Sequence, residues 1–251
     1  MRKKAVAESV TTVVLALVIF VILLVFSTAI NTYLNEVHQR ENCKLSIVAV
    51  ELGKFITRGV ASPKIDCPMQ QVTIAKKDLP KGDSANFVKT KFAQEMWDTW
   101  YVAGRGENRK FQDAWQGGQV HCLLYARINF KDNIGLQKTD LGSMTQWLTT
   151  NNPRESSQSY FKYLTYKDQR AFHIVDASDP ANIKDIEEID PAKNYYVLYY
   201  AVMWDSGMVG RLNPLQQFAI LKDLVGSGSI PQVFVVQEDQ FANLGCDRLL
   251  N

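Results

Sequence analysis

An uninterrupted apolar run near the start of the chain, from Val13 to Phe26, is its most constraining feature. No charged residue occurs between Ser9 and Leu34. A helix over residues 10–30, rising ~1.5 Å per residue, is long enough to span the ~30 Å hydrocarbon core of a bilayer. The sequence therefore predicts one transmembrane helix at residues 10–30, with the lipid bilayer as its partner.

Basic residues indicate the orientation of this helix. Arg2, Lys3 and Lys4 precede the apolar run, and the first charge after it is Glu36. Because lysine and arginine beside a span favour the cytoplasmic side, residues 1–9 are predicted to be cytoplasmic and residues 31–251 to form an extracytoplasmic domain. A cleaved secretory signal is the alternative. The run exceeds the usual h-region of about 7–15 residues, which favours an uncleaved anchor in the cell membrane.

The composition of the external part limits its partners. Setting aside Arg2, Lys3, Lys4 and Glu8 leaves 25 basic and 25 acidic residues. A neutral domain argues against nucleic acid as a partner, because phosphate binding needs clustered positive charge. A hydrophobic content of 46% is typical of a folded domain. The partners predicted besides lipid are other envelope proteins, or a second copy bound through the transmembrane helix.

Four cysteines, Cys43, Cys67, Cys122 and Cys246, all lie on the predicted outer side. An even number in an oxidising compartment is typical of disulfides, and three pairings are possible. We favour Cys43–Cys67, which closes a short loop, and Cys122–Cys246, which ties the C-terminal tail to a central strand. Free buried cysteines are the alternative if the outer compartment is not oxidising.

Hydrophobic periodicity indicates the main elements of the external domain. Apolar residues at helical spacing predict a helix over Ser84–Ala103, with a stripe formed by Val88, Phe92, Met96, Trp97, Trp100 and Tyr101. Strict alternation over Val120–Phe130 predicts a strand with Cys122 on its inner face and His121 on its more polar face.

The remaining patterns complete the predicted fold. Tyr195–Trp204 is apolar on both faces, as in a central strand covered on two sides. A helix over residues 213–225 and a strand over Val233–Gln237 follow it, which predicts a βαβ-like unit. A strand over Gln71–Ala75 and a short helix over Thr139–Thr150 are also predicted. The fold class is α+β, a single domain of mainly antiparallel sheet with packed helices.

Catalytic signatures are absent from the sequence, which holds no H-E-x-x-H, G-x-S-x-G or Walker A motif. His173 lies near Asp176, Ser178 and Asp179, which are the residue types of a hydrolase triad, but proximity in sequence does not supply the geometry. The acidic stretch from Asp185 to Asp190 fits no cation-binding loop and reads as a solvated face. We therefore predict no catalytic residue, no cofactor and no metal site.

Tryptophans provide the one predicted binding region. Trp97, Trp100 and Trp115 could line a groove for a glycan or peptide. Aromatic residues at helical spacing are more often core residues, and that interpretation is favoured.

Two resemblances add to this reading. Lys4-Ala5-Val6-Ala7 before the apolar run resembles the class III, prepilin-like signal of archaeal pilin-like proteins, which is cut on the cytoplasmic side. Cleavage after Ala5 would leave Glu8 at the third mature position, whereas bacterial type IV pilins carry their glutamate at the fifth. The resemblance implies a filament subunit whose apolar helix packs into a filament core.

The order of features along the chain also resembles uncharacterised single-pass membrane proteins of small-genome archaea. The segments that carry this resemblance are Cys43–Ile47, Asp66–Pro68, Trp97–Gly106 and Cys122–Phe130. It implies a membrane anchor and an external domain, and it assigns no activity. Members often have extra cysteines where this chain has Thr99 and Tyr125, so their disulfide pairing cannot be transferred.

These observations predict a single-pass, membrane-anchored extracytoplasmic protein with a structural or binding role at the cell envelope and no catalytic activity. A pilin-like subunit processed after Ala5 is the first alternative. A membrane-tethered hydrolase that uses His173 is the second.

Overall fold

The structure is a computed structural model, and it describes residues 17–22, 37–49, 65–106, 120–131, 133–154, 156–166, 169–180, 182–202, 230–246 and 248–250. The chain divides into two compact units, Met1–Glu41 and Asn42–Asn251. In the first unit, residues 17–22 and 37–41 are helical. The second unit holds the sheet and both disulfides.

Of the predicted transmembrane span, only residues 17–22 are described, and they are helical. Nowhere in the described ranges is there a helix that is both long enough and apolar enough to cross a bilayer. The rest of the span at 10–30, and the helix predicted at 213–225, lie outside the described residues.

The second unit is an α+β domain with a mixed sheet. Its strands are β1 (Gln70–Ala75), β2 (Val120–Lys131), β3 (Thr165–Tyr166), β4 (Gln169–Arg170), β5 (Phe172–Asp176), β6 (Lys184–Asp185), β7 (Tyr195–Val202), β8 (Ile230–Gln237) and β9 (Arg248–Leu250). The main sheet has the order β1-β2-β7-β8-β5-β6, while β9 also pairs with β2. Strands β3 and β4 form a separate two-stranded sheet.

The helices of the second unit pack beside this sheet. They are the helical residues 42–49, α1 (Ser84–Val102), α2 (Lys138–Leu141), α3 (Met144–Thr150) and α4 (Tyr160–Tyr163), with a 3₁₀ helix at Glu238–Leu244. The predicted helix at 139–150 is in fact two, α2 and α3. They are separated at Gly142, whose φ of 57° and ψ of −161° only glycine adopts readily.

The sheet was predicted to be mainly antiparallel, and among the described strands the main sheet is mixed, with three parallel and three antiparallel pairs. β1 and β9 run parallel to β2, and β5 runs parallel to β8, while β2–β7, β7–β8 and β5–β6 are antiparallel. Parallel neighbours need a crossover connection. The chain supplies one with α1, which lies between β1 and β2 in sequence.

The predicted βαβ-like unit was therefore placed at the wrong position. β7 and β8 pair in antiparallel fashion, with Tyr195 opposite Gln237, so no parallel crossover joins them. The unit that fits the pattern is β1-α1-β2. Its three elements were each predicted, but a periodicity reports only one element and not which strands become neighbours.

Helix α1 follows its prediction closely. It ends at Val102, and Gly104 after it has a φ of 76°, the left-handed conformation common at helix C-termini. The predicted stripe faces the core: Val88, Phe92, Met96, Trp97 and Trp100 are buried, while Tyr101 is half-buried. An apolar stripe of this width needs a sheet face to cover it.

Strand β2 departs from strict alternation through a β-bulge. Its register against β7 slips between Leu124 and Ala126, so Tyr125 is an extra residue. Before the bulge, Cys122 and Leu124 belong to the second of two buried clusters; after it, Ala126 and Ile128 belong to the first, which contains α1. The prediction that all four share one face is therefore wrong.

Both faces of the sheet are buried at its centre. β7 is buried on both sides, as expected for a central strand, with the α1 cluster against one face and the 3₁₀ helix Glu238–Leu244 against the other. The prediction that His121 lies on a polar, outward face is consequently wrong, since His121 is fully buried. Alternation still places it on the face opposite Cys122.

Two disulfides link segments of the domain that are distant in sequence. Cys43 is bonded to Cys67 and Cys122 to Cys246, which is the pairing favoured from the sequence. The first joins the helical residues 42–49 to the segment before β1. The second joins β2 to the segment before β9.

We expect the two disulfides to contribute unequally to stability. Cys122–Cys246 spans 124 residues and Cys43–Cys67 spans 24. Chain entropy makes the longer link worth about 1.5 kcal/mol more, within a typical contribution of about 2–4 kcal/mol each. Urea unfolding of Cys122→Ala/Cys246→Ala and of Cys43→Ala/Cys67→Ala measures both losses. Equal losses would show that the chain-entropy term does not control them.

Candidate functional site

Three aromatic rings form what we call the aromatic stack, made of Trp97, Tyr101 and Tyr163. The indole of Trp97 stacks on Tyr101 with centroids 5.4 Å apart and on Tyr163 with centroids 5.1 Å apart. Trp97 and Tyr101 are four residues apart on α1 and thus lie on one helix face. Tyr163 comes from the end of α4, so the stack joins these two helices.

Two cations from the chain itself lie over the aromatic stack. Lys44 Nζ is 3.8 Å from the centroid of Tyr101. Arg105 Cζ is 4.6 Å from the centroid of Tyr163 and 5.7 Å from that of Tyr101. Cations at these distances are attracted to the negative face of a ring. Both tyrosines therefore already have a cationic neighbour from the chain itself. The stack is accordingly a packing contact within the domain.

The predicted tryptophan groove is not assembled in the described part of the chain. Trp97 is 3% exposed, and Trp100 is fully buried with its ring 6.3 Å from that of Tyr199. Both are core residues, which is the interpretation favoured from helical spacing. Trp115 lies outside the described residues.

Arg105 lies over two rings of the stack, a contact that was not predicted from the sequence. Its φ of 56° and ψ of 30° are left-handed, a conformation that costs a side chain such as arginine about 1–2 kcal/mol. The glycines on either side in Gly104-Arg105-Gly106 indicated only the end of a helix. No sequence signal shows that an arginine at such a turn will reach back over a tyrosine.

The environment of the stack changes the acidity of Tyr163. Burial raises its pKa to about 12, and the nearby Arg105 guanidinium opposes part of that rise. Tyr163 therefore keeps its proton well above the usual range for a phenol, and a neutral ring is retained beside the arginine.

A second cluster ties the edge strand β6 to the sheet. Arg170 Nη2 lies 3.0 Å from Asp185 Oδ2, and its Nε donates to the carbonyl of Phe172 over 2.8 Å. The same carboxylate oxygen lies 3.2 Å from Nδ1 of His173, which is 1% exposed. His173 is buried, whereas Asp185 and Arg170 are each about one-fifth exposed, and their contacts join β4, β5 and β6.

The candidate triad residues are distributed between two sites. The hydrogen-bonded carboxylate of His173 comes from Asp185 on β6, which the sequence did not identify as its partner. Asp176 instead accepts the backbone N–H of Ser178 over 3.0 Å, and this bond lowers the pKa of Asp176. Ser178 and Asp176 thus form a turn at the end of β5.

Several carboxylates of the acidic stretch from Asp185 to Asp190 form ion pairs or hydrogen bonds with neighbouring side chains. Glu187 Oε1 lies 3.5 Å from Arg170, and its other oxygen accepts from Ser143 over 3.0 Å. Glu188 lies 3.3 Å from Lys138. In the part of the chain that the structure describes, no group of three or more His, Cys, Asp or Glu residues is placed to hold a metal ion.

A third polar contact joins β2 to the C-terminal 3₁₀ helix. Arg127 on β2 makes a forked contact with Glu238 at the start of the C-terminal 3₁₀ helix, at 2.7 and 3.2 Å. Tyr196 donates to the same carboxylate over 3.3 Å. The arginine lowers the pKa of Glu238, so the carboxylate stays charged in the folded protein.

Comparisons with known proteins return no family model, no curated protein and no solved structure that matches the chain.

Two substitutions of Arg105 should separate the energetic cost of its left-handed backbone from the stabilisation that its charge contributes. Arg105→Ala removes the cation over Tyr163, a loss of about 0.5–1 kcal/mol at an exposed site. Arg105→Gly removes the same cation but relieves the left-handed backbone, so it should be about 1 kcal/mol more stable than Arg105→Ala. Thermal and urea unfolding measure both variants. An alanine variant as stable as the glycine variant would contradict a left-handed Arg105.

The pKa of Tyr163 predicts a loss of stability at high pH. The folded pKa of about 12 lies above the unfolded value of about 10. The contribution of Tyr163 is therefore fully present below pH ~10 and is lost as the pH rises towards ~12. Ultraviolet difference titration should show a late-titrating phenol that Tyr163→Phe removes and that Arg105→Ala shifts higher. If Tyr163→Phe instead removed a component that titrates near pH 10, the burial of Tyr163 would be contradicted.

Proposed function

We propose that this chain is a single-pass membrane-anchored protein whose α+β domain works outside the cell, in a structural or binding role at the envelope. Residues 10–30 would be the anchor and residues 31–251 the extracytoplasmic part. Its partners would be the lipid bilayer and other envelope proteins.

The observation that carries this proposal is the pairing of all four cysteines. Cys43–Cys67 and Cys122–Cys246 leave no free cysteine. Structural disulfides persist in oxidising compartments and are rare in reducing ones. A domain with two such links is suited to the outer side of a membrane.

The apolar run supports the anchor. Its described residues 17–22 are helical, and each of these six side chains is about half exposed, from 49% for Ile19 to 58% for Leu17 and Phe20. A helix that is apolar on every side needs a partner other than water. Lipid is the partner that the length of the uncharged run, from Ser9 to Leu34, fits best.

The polar clusters favour a structural or binding role over catalysis. Arg127–Glu238 and Arg170–Asp185 each bridge separate elements of the fold, and His173 is buried against Phe234 with ring centroids 5.6 Å apart. A catalytic base has to reach the proton it transfers. Side chains whose hydrogen bonds join strands contribute to rigidity, which suits a domain that presents a surface.

We expect the chain to fractionate with membranes of the expressing cell and to need detergent for extraction. An impermeant thiol reagent should label none of the cysteines in intact cells before reduction, and non-reducing peptide mapping should recover both disulfides. As a matched control, replacing Arg2, Lys3 and Lys4 with glutamine and adding three lysines after Leu34 should invert the topology and leave the cysteines reduced. A wild-type chain that is aqueous without detergent, or whose thiols are reduced, would refute the proposal.

Mass spectrometry of the mature N-terminus separates the anchor from the pilin-like alternative. An intact start supports a plain anchor. Removal of Met1–Ala5 would instead support a processed subunit.

A further inference from the structure

The four cysteines of the two disulfides differ in their access to solvent. Cys43, Cys67 and Cys122 are at most 2% exposed, whereas Cys246 is partly exposed. Thiol–disulfide exchange requires a thiolate to reach one of the two sulfurs, so access helps to decide which bond a reductant attacks. Both ends of Cys43–Cys67 are buried. Cys122–Cys246 has one accessible end, at Cys246.

Side chains join the two segments of Cys43–Cys67 independently of that bond. Ser46 lies one helical turn after Cys43, and its Oγ donates to the carbonyl of Cys43 over 2.8 Å. The same oxygen accepts the backbone N–H of Asp66 over 3.0 Å, and Asp66 is the residue before Cys67. Breaking this disulfide would therefore leave its two segments in contact.

The C-terminal 3₁₀ helix is anchored up to its last residue. Asn243 donates to the carbonyl of Ala177 over 2.7 Å, and Gln240 accepts the N–H of Ala177 over 2.8 Å. Leu244, at the end of the helix, is fully buried. Gly245 follows with a φ of 63° and a ψ of 41°, a left-handed conformation that glycine adopts readily. The anchored helix thus ends immediately before a turn at Gly245.

Beyond this turn, β9 has a short pairing with the sheet. Its three residues run parallel to His121–Leu123 on the outer edge of β2, and among the described strands β9 pairs with no other. Terminal segments with few backbone bonds open at the lowest free energies in a folded protein. The Cys122–Cys246 bond lies directly beside this pairing, where it can hold β9 in place.

We propose that β9, with Cys246 before it, is a redox-gated strap, which the Cys122–Cys246 bond holds against the outer edge of β2 and which a dithiol reductant releases. Gly245 is the hinge of the strap. While the bond is intact, β9 covers the backbone of His121–Leu123. After reduction this part of the edge is uncovered. The strap works in the same way whether or not residues 10–30 anchor the chain.

The reaction is a dithiol–disulfide exchange. A thiolate of the reductant attacks Cys246 Sγ, a mixed disulfide forms as the original S–S bond breaks, and Cys122 leaves as a thiolate that takes up a proton. The second thiol then loses its proton and displaces Cys246, which is protonated in turn. The dithiol is oxidised to its own disulfide, and Cys122–Cys246 is reduced to two thiols.

The surroundings of Cys122 suit both redox states. Cys122 lies in the second buried cluster, among apolar side chains such as Leu124 and Leu198. A free cysteine in such a place packs as a small hydrophobic residue. The cluster therefore tolerates the free thiol, and we expect the effect of reduction to be confined to the strap.

The rates of reduction test which disulfide opens. The oxidised full-length chain in detergent is treated with dithiothreitol at neutral pH, free thiols are alkylated at intervals, and the peptides are analysed by mass spectrometry. Alkylation of Cys122 and Cys246 should be at least about tenfold faster than that of Cys43 and Cys67. Similar rates, faster reduction of Cys43–Cys67, or reduction of neither bond until the domain unfolds would overturn the proposal.

Hydrogen exchange tests whether reduction releases the strap. When dithiothreitol reduces Cys122–Cys246, the amides of β9 should exchange at least about tenfold faster, and removal of the reductant with reoxidation should restore slow exchange. β1 pairs with the same edge of β2 and is the internal control, so its exchange should not change. Unchanged exchange of β9, or an equal loss of protection in β1, would overturn the proposal.

Two cysteine-pair variants extend this measurement. Cys122→Ala/Cys246→Ala should show fast exchange of β9 without any reductant. Cys43→Ala/Cys67→Ala is the matched control and should show it only after reduction. Circular dichroism shows whether each variant is folded, and the measurement with dithiothreitol uses the unsubstituted chain, so it does not depend on either variant. Slow exchange of β9 in a folded Cys122→Ala/Cys246→Ala variant would contradict a strap held by this bond.

Discussion

The β-bulge at Tyr125 is the constraint on which the packing of β2 depends, because it changes which of the two buried clusters each of its apolar residues faces. Before the bulge, Cys122 faces the cluster of the C-terminal 3₁₀ helix; after it, Ala126 and Ile128 face the cluster of α1. A strand of strict alternation would send all three to one face. The extra residue moves the even-numbered positions after it to the α1 cluster, while Cys122 before it stays on the other face and bonds to Cys246.

The same bulge divides the outer edge of β2 between two partners. β9 pairs with residues 121–123, and β1 pairs with residues 126–131. The two residues between these pairings, Leu124 and Tyr125, are where the register against β7 slips. Beyond the bulge, Arg127 lies on the face where it contacts Glu238. The bulge thus coincides with the boundary between the two edge strands, and the Arg127–Glu238 ion pair lies just beyond it.

Elements whose signal is local were predictable from the sequence. The stripe of α1 and the two apolar faces of β7 can be read from a single segment, and both agree with the structure. The bulge could not be predicted, because Tyr125 is as apolar as its neighbours and alternation continues through it. Strand partners were missed for a related reason: β1 and β2 are joined by contacts distant in sequence.

The candidate site shows the same limit. Burial of Trp97 and Trp100 follows from helical spacing, but the partners of Trp97 do not. Tyr163 and Arg105 come from segments with no periodic signal. The segment around His173 is held to its neighbours by the side-chain contacts of Arg170 and not by a long strand. Where side-chain contacts replace backbone periodicity, residue pattern alone cannot show which groups meet.

The positions of the disulfides explain how the outer edge of the sheet is held. β9 has three residues and β1 six, and each pairs on one side only with β2 among the described strands. Cys67 comes three residues before β1, and Cys246 comes two residues before β9. Strands with so few backbone bonds would fray first, because local opening begins where contacts are fewest. A covalent link just before each strand limits that fraying, so an oxidising environment keeps this edge of the sheet in place. The compartment proposed for the domain and the integrity of its outer edge therefore depend on the same chemistry.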